Sequence, residues 1–201
     1  MSDIPLILLA AGKSKRMGVL KQLLPWQKNT LLENCLASGL EFKSQEIFVI
    51  VGSNKEKIIP IINHTPVNII INEKWSNGIG SSIAKGVSVL LKLKKKRKGV
   101  FIYLADQPFV GVDLIEQYYN AFDLGKKGIV ATRYNKRKIG VPALFDVTYF
   151  DELSKLSEDF GAQKIIEKYK HNSIVIEPEK KLLKDIDTPS AYHKYFNKLK
   201  V

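Results

Sequence analysis

The sequence predicts an α/β protein built on a mainly parallel sheet. Three observations lead there. Short runs that are apolar on both faces recur along the chain, helix-period patterns with capping signals lie between them, and the first run ends in a small-residue, basic loop, LLAAGKSKRMG. Strands without a polar face belong to a sheet covered on both sides, and alternation of strand with helix joins parallel strands through right-handed crossovers.

Residues 4–9 make the first run and read as a buried strand, being short, continuous and closed by a glycine loop. Thr30, with Glu33 three positions on, is a capping box ahead of LLENCLASGL, where Cys35 falls on the apolar face as a small core residue. Residues 46–51 (EIFVIV) follow as a strand, and Ser53 with Glu56 repeats the capping pattern. A third strand covers 67–71. Ser81 or Ser82 then caps a helix whose apolar face carries Ile83, Val87, Leu90 and Leu91. Strands at 100–104, 129–132 and 173–176 complete the set, and Thr188 with Pro189 is a standard helix opening. No repeat or Pro/Gly-rich boundary divides the chain, so residues 1–201 are expected to be one domain.

At 45% hydrophobic and 26% charged residues, composition is that of an ordinary soluble protein, and no apolar run approaches the roughly 20 residues of a membrane helix. Asp3 stands where a secretory leader has basic residues. One cysteine allows no internal disulfide, which suits a reducing, cytoplasmic setting. The 32 basic and 20 acidic residues give a net charge of +12, favourable to anionic partners in general. Much of the excess lies in LKLKKKRKG and near the C-terminal YHKYFNKLK, where aromatic residues are sparse or the run ends the chain. These read as a solvated loop and a helix end, so nucleic acid and membrane are not expected partners.

In open α/β sheets ligands bind beyond the C-terminal ends of the strands, which makes the loop behind residues 4–9 the first candidate site. It is not a P-loop, because that motif requires glycine where Ile7 stands, and it is not a dinucleotide fingerprint, because Ser14 occupies the place of the second glycine. What remains is physical. Ala10, Ala11 and Gly12 let the backbone approach a ligand closely, successive amides suit phosphate oxygens, and Arg16 and Lys21 add charge. On residue type alone a tight turn with solvated cations is equally open.

LAAGKSKRMGVLKQLLPW resembles the N-terminal signature of the nucleotidyltransferases that handle molybdenum cofactor. Later landmarks of that family follow in order: NEKWSNGIGSSIAKGV, LADQP, PALF, FGAQKII and DIDTPSAY. Residues 9–12, LAAG, have the form typical of its cytidylyltransferases, where guanylyltransferases tend to have LAGG. The resemblance implies a Rossmann-like sheet of the nucleotide-diphospho-sugar transferase type with helices on both faces. It implies Mg²⁺-dependent transfer of CMP from CTP to molybdopterin with release of pyrophosphate, the product passing to a recipient molybdoenzyme. A GTP-using guanylyltransferase, a sugar-phosphate nucleotidyltransferase and a non-catalytic cofactor-delivery chaperone are the alternatives.

On that resemblance Leu9, Ala10, Ala11, Gly12, Lys21, Asn72, Ser81 and Ser82 contact the nucleotide, and Arg16, Lys21 and Asp106 carry the catalysis. Such transfer needs no protein nucleophile, because both partners are anionic and the barrier is one of charge and positioning. Accordingly His64, His171 and His193 have no metal spacing and no serine or cysteine partner in the motifs. Asp106 follows the apolar VFIYL, with Pro108 preventing an immediate helix, where Mg²⁺ would bridge it to phosphate oxygens. Asp187 is the second metal candidate and equally part of the DTP helix opening; Asp185, two residues earlier on the same side of an extended segment, competes for the role. Gly78 and Gly80 permit close approach beside Ser81 and Ser82, a stretch that also reads as a plain loop and cap, while Trp75 either covers a planar ring or packs. Two departures concern the acceptor: Val141, where relatives often carry His or Asn before proline, and Glu158, where they often carry glycine before aspartate.

Overall fold

The structure, a computed structural model, describes residues 3–42, 46–123, 126–157 and 161–199. The first apolar run is β1 (Leu6–Leu9), buried throughout. A two-residue hairpin, β2 (Pro25–Trp26) and β3 (Asn29–Thr30), leads into α1 (Leu31–Glu41). Then come β4 (Ile47–Val51), α2 (Lys55–Ile62), β5 (Asn68–Ile71), α3 (Ile79–Lys92), β6 (Gly99–Leu104) and α4 (Val112–Ala121). The second half holds β7 (Ile129–Asn135), β8 (Lys138–Asp146), α5 (Phe150–Leu153), α6 (Gln163–Lys168), β9 (Ser173–Ile176) and α7 (Pro189–Phe196).

Seven strands form one sheet in the order β5-β4-β1-β6-β8-β7-β9. Among the described strands of that sheet β8 alone runs against its neighbours, antiparallel to both β6 and β7. Successive residues of β1 serve opposite faces, as the two-residue strand period requires. Leu6 and Leu8 pack in one core with residues of α1, α2 and α4, and Ile7 and Leu9 in another with α3, α5 and α6. The mainly parallel, doubly covered sheet is the architecture anticipated from the apolar runs.

Four local expectations need correction. Residues 138–146 form a strand although Gly140 and Pro142 interrupt the apolar pattern. The β7 register jumps from Ala131↔Ala143 to Thr132↔Gly140, leaving Val141 and Pro142 in a bulge, and β6 pairs only from Ala143 onward. The proline, which has no N–H to give, thus stays out of the ladder. Ser53 does not cap α2: Asn54, in left-handed backbone (φ 59), precedes it, and its side-chain Nδ2 donates to the Ser53 hydroxyl. Neither Ser81 nor Ser82 caps α3, which opens at Gly78 (φ 93) and holds both serines within its first turns. Leu91 is 47% exposed, whereas Ile83, Val87 and Leu90 are buried. By contrast, Thr30 and Glu33 form the complete capping box, Glu33 N–H to Thr30 Oγ1 (3.2 Å) and Thr30 N–H to Glu33 Oε2 (2.8 Å), Thr188 accepts from Ala191 N–H (3.2 Å), and Cys35 is buried in the core.

A third, smaller core gathers Met17, Trp26, Leu31, Ile186 and Tyr192, and Trp26 meets Phe109 edge-on at 5.6 Å. It ties the β1 loop, the hairpin and α7 together beside the C-terminal edge of the sheet. All three histidines are exposed, and no helix among the described residues is long and apolar enough to cross a membrane.

Candidate active site

β1 and β6 are parallel neighbours with Leu9 beside Leu104, so the loop leaving β1 and the turn leaving β6 emerge side by side. The β1 loop carries Ala10 to Ser14, then two 3-10 turns, Lys15–Met17 and Lys21–Leu23. The β6 turn carries Asp106. A third segment arrives from far along the chain: the Ile186 amide donates to the Asp106 carbonyl (2.8 Å), and the Ile186 side chain is fully buried in the small core. That anchor delivers Asp187.

Lys21 stands between the two carboxylates. Its Nζ donates to Asp106 Oδ2 at 2.7 Å and to Asp187 Oδ1 at 2.6 Å, while Arg16, from an exposed position, donates to Asp187 Oδ2 at 2.6 Å. Burial, the largest influence, pulls the Lys21 pKa down, but the attraction and hydrogen bonds of Asp106 and then Asp187 together outweigh it and hold the ammonium above the ordinary lysine value. Lys21 is therefore a fixed cation at neutral pH and not a proton acceptor. Asp106 Oδ1 is buried and has no hydrogen-bond partner among the described residues. A buried oxygen left so costs about 1–3 kcal/mol, and a carboxylate in that condition is suited to a cation.

Asp185 parts company with Asp187. Its Oδ1 accepts from Gln107 Nε2 (2.8 Å), and burial first, then repulsion from Asp106, raise its pKa against the opposing Gln107 bond. The two aspartates line different clefts. One, of about 380 Å³, is walled by Leu9, Ala10, Ala11 and Gly12 together with Arg16, Lys21, Ser82, Asp106 and Asp187. The other, of about 210 Å³, is lined by Tyr134, Lys138, Val141 and Asp185, and Ile79 and Leu104 wall both.

Asn72 and Ser81 line neither cleft. Buried Asn72 donates from Nδ2 to Ser81 Oγ (3.0 Å) and Ser82 Oγ (3.1 Å) and accepts the Lys74 amide (3.0 Å), while Ser81 Oγ lies 2.8 Å from the Lys74 carbonyl. They tie the turn after β5 to the opening of α3, and that scaffold presents Trp75, Ser76, Gly78, Ile79 and Ser82 to the larger cleft. Trp75 has a part in both of its readings: its Cβ rests where a Cβ on Gly52 would stand (2.5 Å), and it lines the cleft. Glu158 and Phe160 lie outside the described residues. Reading the sequence misses Gln22 and Ser14, which bond to each other beneath the β1 loop (2.9 Å). A glutamine inside KQLL carries no signal that distinguishes it from a surface residue.

A cleft at the carboxyl edge, a small-residue loop and a lysine held by two aspartates are now in place, and residues 6–173 match the profile described as a MobA-like NTP transferase domain. The chain belongs to that family. Its relatives include the nicotine blue oxidoreductase of Paenarthrobacter nicotinovorans, 31% identical over 118 residues that span 57% of this chain and 56% of that protein. The molybdenum cofactor cytidylyltransferase of Escherichia coli strain K12 is 26% identical over 192 residues, 96% of this chain and 95% of that one. Among solved structures, Rv0371c of Mycobacterium tuberculosis H37Rv superposes with a TM-score of 0.79 at 24% identity over 98% of each chain, and a complex of that protein with manganese is also known. These likenesses establish the fold of a MobA-like nucleotidyltransferase.

Proposed function

We propose that the protein is a molybdenum cofactor cytidylyltransferase, joining CMP from CTP to the terminal phosphate of molybdopterin and releasing pyrophosphate. The observation that carries this reading is the Asp106–Lys21–Asp187 bridge at the mouth of the β1 loop. A match to the E. coli cytidylyltransferase along nearly the whole chain supports it. The choice of CTP rests on the LAAG loop, and a cytoplasmic setting on the single, buried Cys35.

The residues fit a divalent cation. Asp106 and Asp187 face one cationic position, already taken by an ammonium at 2.7 and 2.6 Å, and Asp106 Oδ1 is buried without a donor among the described residues. A pair of carboxylates suits Mg²⁺, an ion held by one or two of them with phosphate and water filling the rest of its sphere. When bound, such an ion neutralises charge on the triphosphate. The chain's own groups do the remainder. Lys21, freed from one carboxylate, supplies a point charge to the phosphates, and Arg16 supplies a planar fork. The β1 loop brings backbone amides close, and the smaller cleft, floored by Val141 and bordered by Asp185 and Lys138, receives the acceptor. The acceptor phosphate is ionised at neutral pH, so the step asks for charge and alignment and no general base.

Pyrophosphate release by the purified protein with Mg²⁺ and each of CTP, GTP, ATP and UTP, with and without molybdopterin, tests this. Release with CTP that requires molybdopterin and vanishes in Asp106→Ala is the expected result. Release with GTP instead would keep the reaction and overturn the reading of LAAG. No release with any triphosphate would leave cofactor delivery or, given the first relative, an oxidoreductase role.

A further inference from the structure

We infer that Gln22 is the positioning residue that sets the β1 loop for phosphate binding, by pinning its carbonyls and so turning its amides toward the triphosphate. The inference rests on the nucleotidyltransfer reading and adds to it a residue that never touches the substrate's reacting atoms.

Gln22 is 2% exposed, and its carboxamide is fully used. Nε2 donates to the carbonyls of Gly12 (2.9 Å) and Ala10 (3.3 Å), and Oε1 accepts from the Ser14 hydroxyl (2.9 Å), which itself accepts the Lys21 amide (3.3 Å). Two carbonyl oxygens on one side leave no freedom in which end of the amide is nitrogen, since an oxygen there would face both of them. The carbonyl between them, that of Ala11, is taken by the Ser53 amide (3.1 Å). Three consecutive peptides are thus held by their oxygens. In a trans peptide the C=O and the following N–H point in opposite directions, so the amides of Ala11 and Lys13 are turned away from Gln22, and that of Gly12 from Ser53. The Ala11 and Lys13 amides, both set by Gln22 and both belonging to residues that line the larger cleft, are the donors offered to phosphate oxygens.

An independent feature agrees. A Cβ on Gly12 would meet nothing within 4 Å, and Gly12 has no positive φ. Neither packing nor backbone conformation asks for glycine there. The missing side chain serves whatever enters the cleft that Gly12 lines.

The test is binding of CTP and CMP, followed by calorimetry, to wild type, Gln22→Met and Ser14→Ala. Methionine keeps the length and apolar bulk of glutamine and removes the three hydrogen bonds without adding charge. We expect Gln22→Met to weaken CTP binding at least about tenfold, the scale of a lost oriented hydrogen bond to a charged group. CMP, with one phosphate, should lose less, and the folded fraction by circular dichroism should be unchanged. A fold defect would weaken both ligands together. Ser14→Ala, at a partly exposed position, frees the amide to swing and should cost CTP about threefold; it carries the test if the methionine variant does not fold. CTP affinities equal to wild type in the folded variants overturn the proposal. Failure of the wild type to bind any nucleoside triphosphate overturns the functional reading beneath it instead.

Discussion

At the scale of single residues, the site is a balance between one lysine and two carboxylates. Asp106→Asn removes a charge from Lys21 and from any bound divalent ion together, and is expected to lower kcat/KM for pyrophosphate release at least about a hundredfold. Arg16→Ala, touching only the exposed side of Asp187, should cost about tenfold. The Lys21 bridge has a definite pH signature. Its folded pKa lies above the ordinary 10.5, so its contribution to stability is fully present below that value and is lost only as pH rises through the higher folded one. The gap in melting temperature between wild type and Lys21→Met should therefore be flat between about pH 6 and 9. Asp185 has the opposite sign. A carboxyl whose folded pKa is raised above 3.8 opposes folding once it is ionised. Asp185→Asn should hence raise the melting temperature at pH 7 by about 2 °C, a gain that fades as the buffer is taken below about pH 4. A variant that melts lower at neutral pH would show the Gln107 bond to matter more than the buried charge. Which aspartate goes with Asp106 was not legible in DIDTP, because extended backbone sends both to one side. The neighbour between them decided it: Ile186, buried in the small core and bonded through its amide to the Asp106 carbonyl, fixes where each carboxylate lands.

At the scale of elements, the sequence was most legible where burial and periodicity agree. The runs that became β1, β4 and β6 are continuously apolar, and the Thr30–Glu33 box marked the start of α1 to the residue. β8 was not legible, since its proline and glycine sit in a bulge that only the partner strand reveals. Nor were the true openings of α2 and α3, which depend on backbone twists at Asn54 and Gly78 rather than on side-chain oxygens. A close approach between layers was equally hidden. Gly39 lies inside α1, and a Cβ there would stand 2.5 Å from the hydroxyl of Tyr103 on β6, itself fully buried and without a hydrogen-bond partner among the described residues. Alanine would gain about 1 kcal/mol of helix propensity, but forcing a rigid buried ring aside costs about 1–3 kcal/mol. Gly39→Ala should therefore be destabilising in urea melts. Tyr103→Phe removes an unsatisfied hydroxyl and should be neutral or stabilising. Combined, the two should recover most of the loss, a coupling that additive behaviour would refute.

At the scale of the whole molecule, the net charge of +12 divides by position into parts with different work. Arg16 and Lys21 stand at the carboxyl edge of the sheet, with the cleft. The run at 92–98 connects the end of α3 to the start of β6, so it lies at the opposite edge. It is not uniformly solvated: Arg97 is buried, ion-paired with Glu46 and set over the Phe48 ring, and Lys95 joins the same carboxylate at 3.1 Å. Lys92, Lys94 and Lys96 remain exposed. Six residues of β6 separate the two edges by roughly 20 Å at about 3.3 Å per residue, more than twice the roughly 8 Å over which charge is felt at physiological ionic strength. Replacing Lys92, Lys94 and Lys96 together by glutamine should accordingly change KM for the nucleoside triphosphate by less than about twofold at 0.15 M salt. Arg97→Gln, by contrast, removes a buried guanidinium from its packing on Phe48 and from its ion pair with the half-exposed Glu46, and should lower the melting temperature without a specific effect on nucleotide affinity. If the triple variant loses nucleotide affinity at physiological salt, the triphosphate is being drawn in by the charge of the whole protein; if it does not, Arg16, Lys21 and the β1 loop suffice, and the lysine run is left to tune solubility alone.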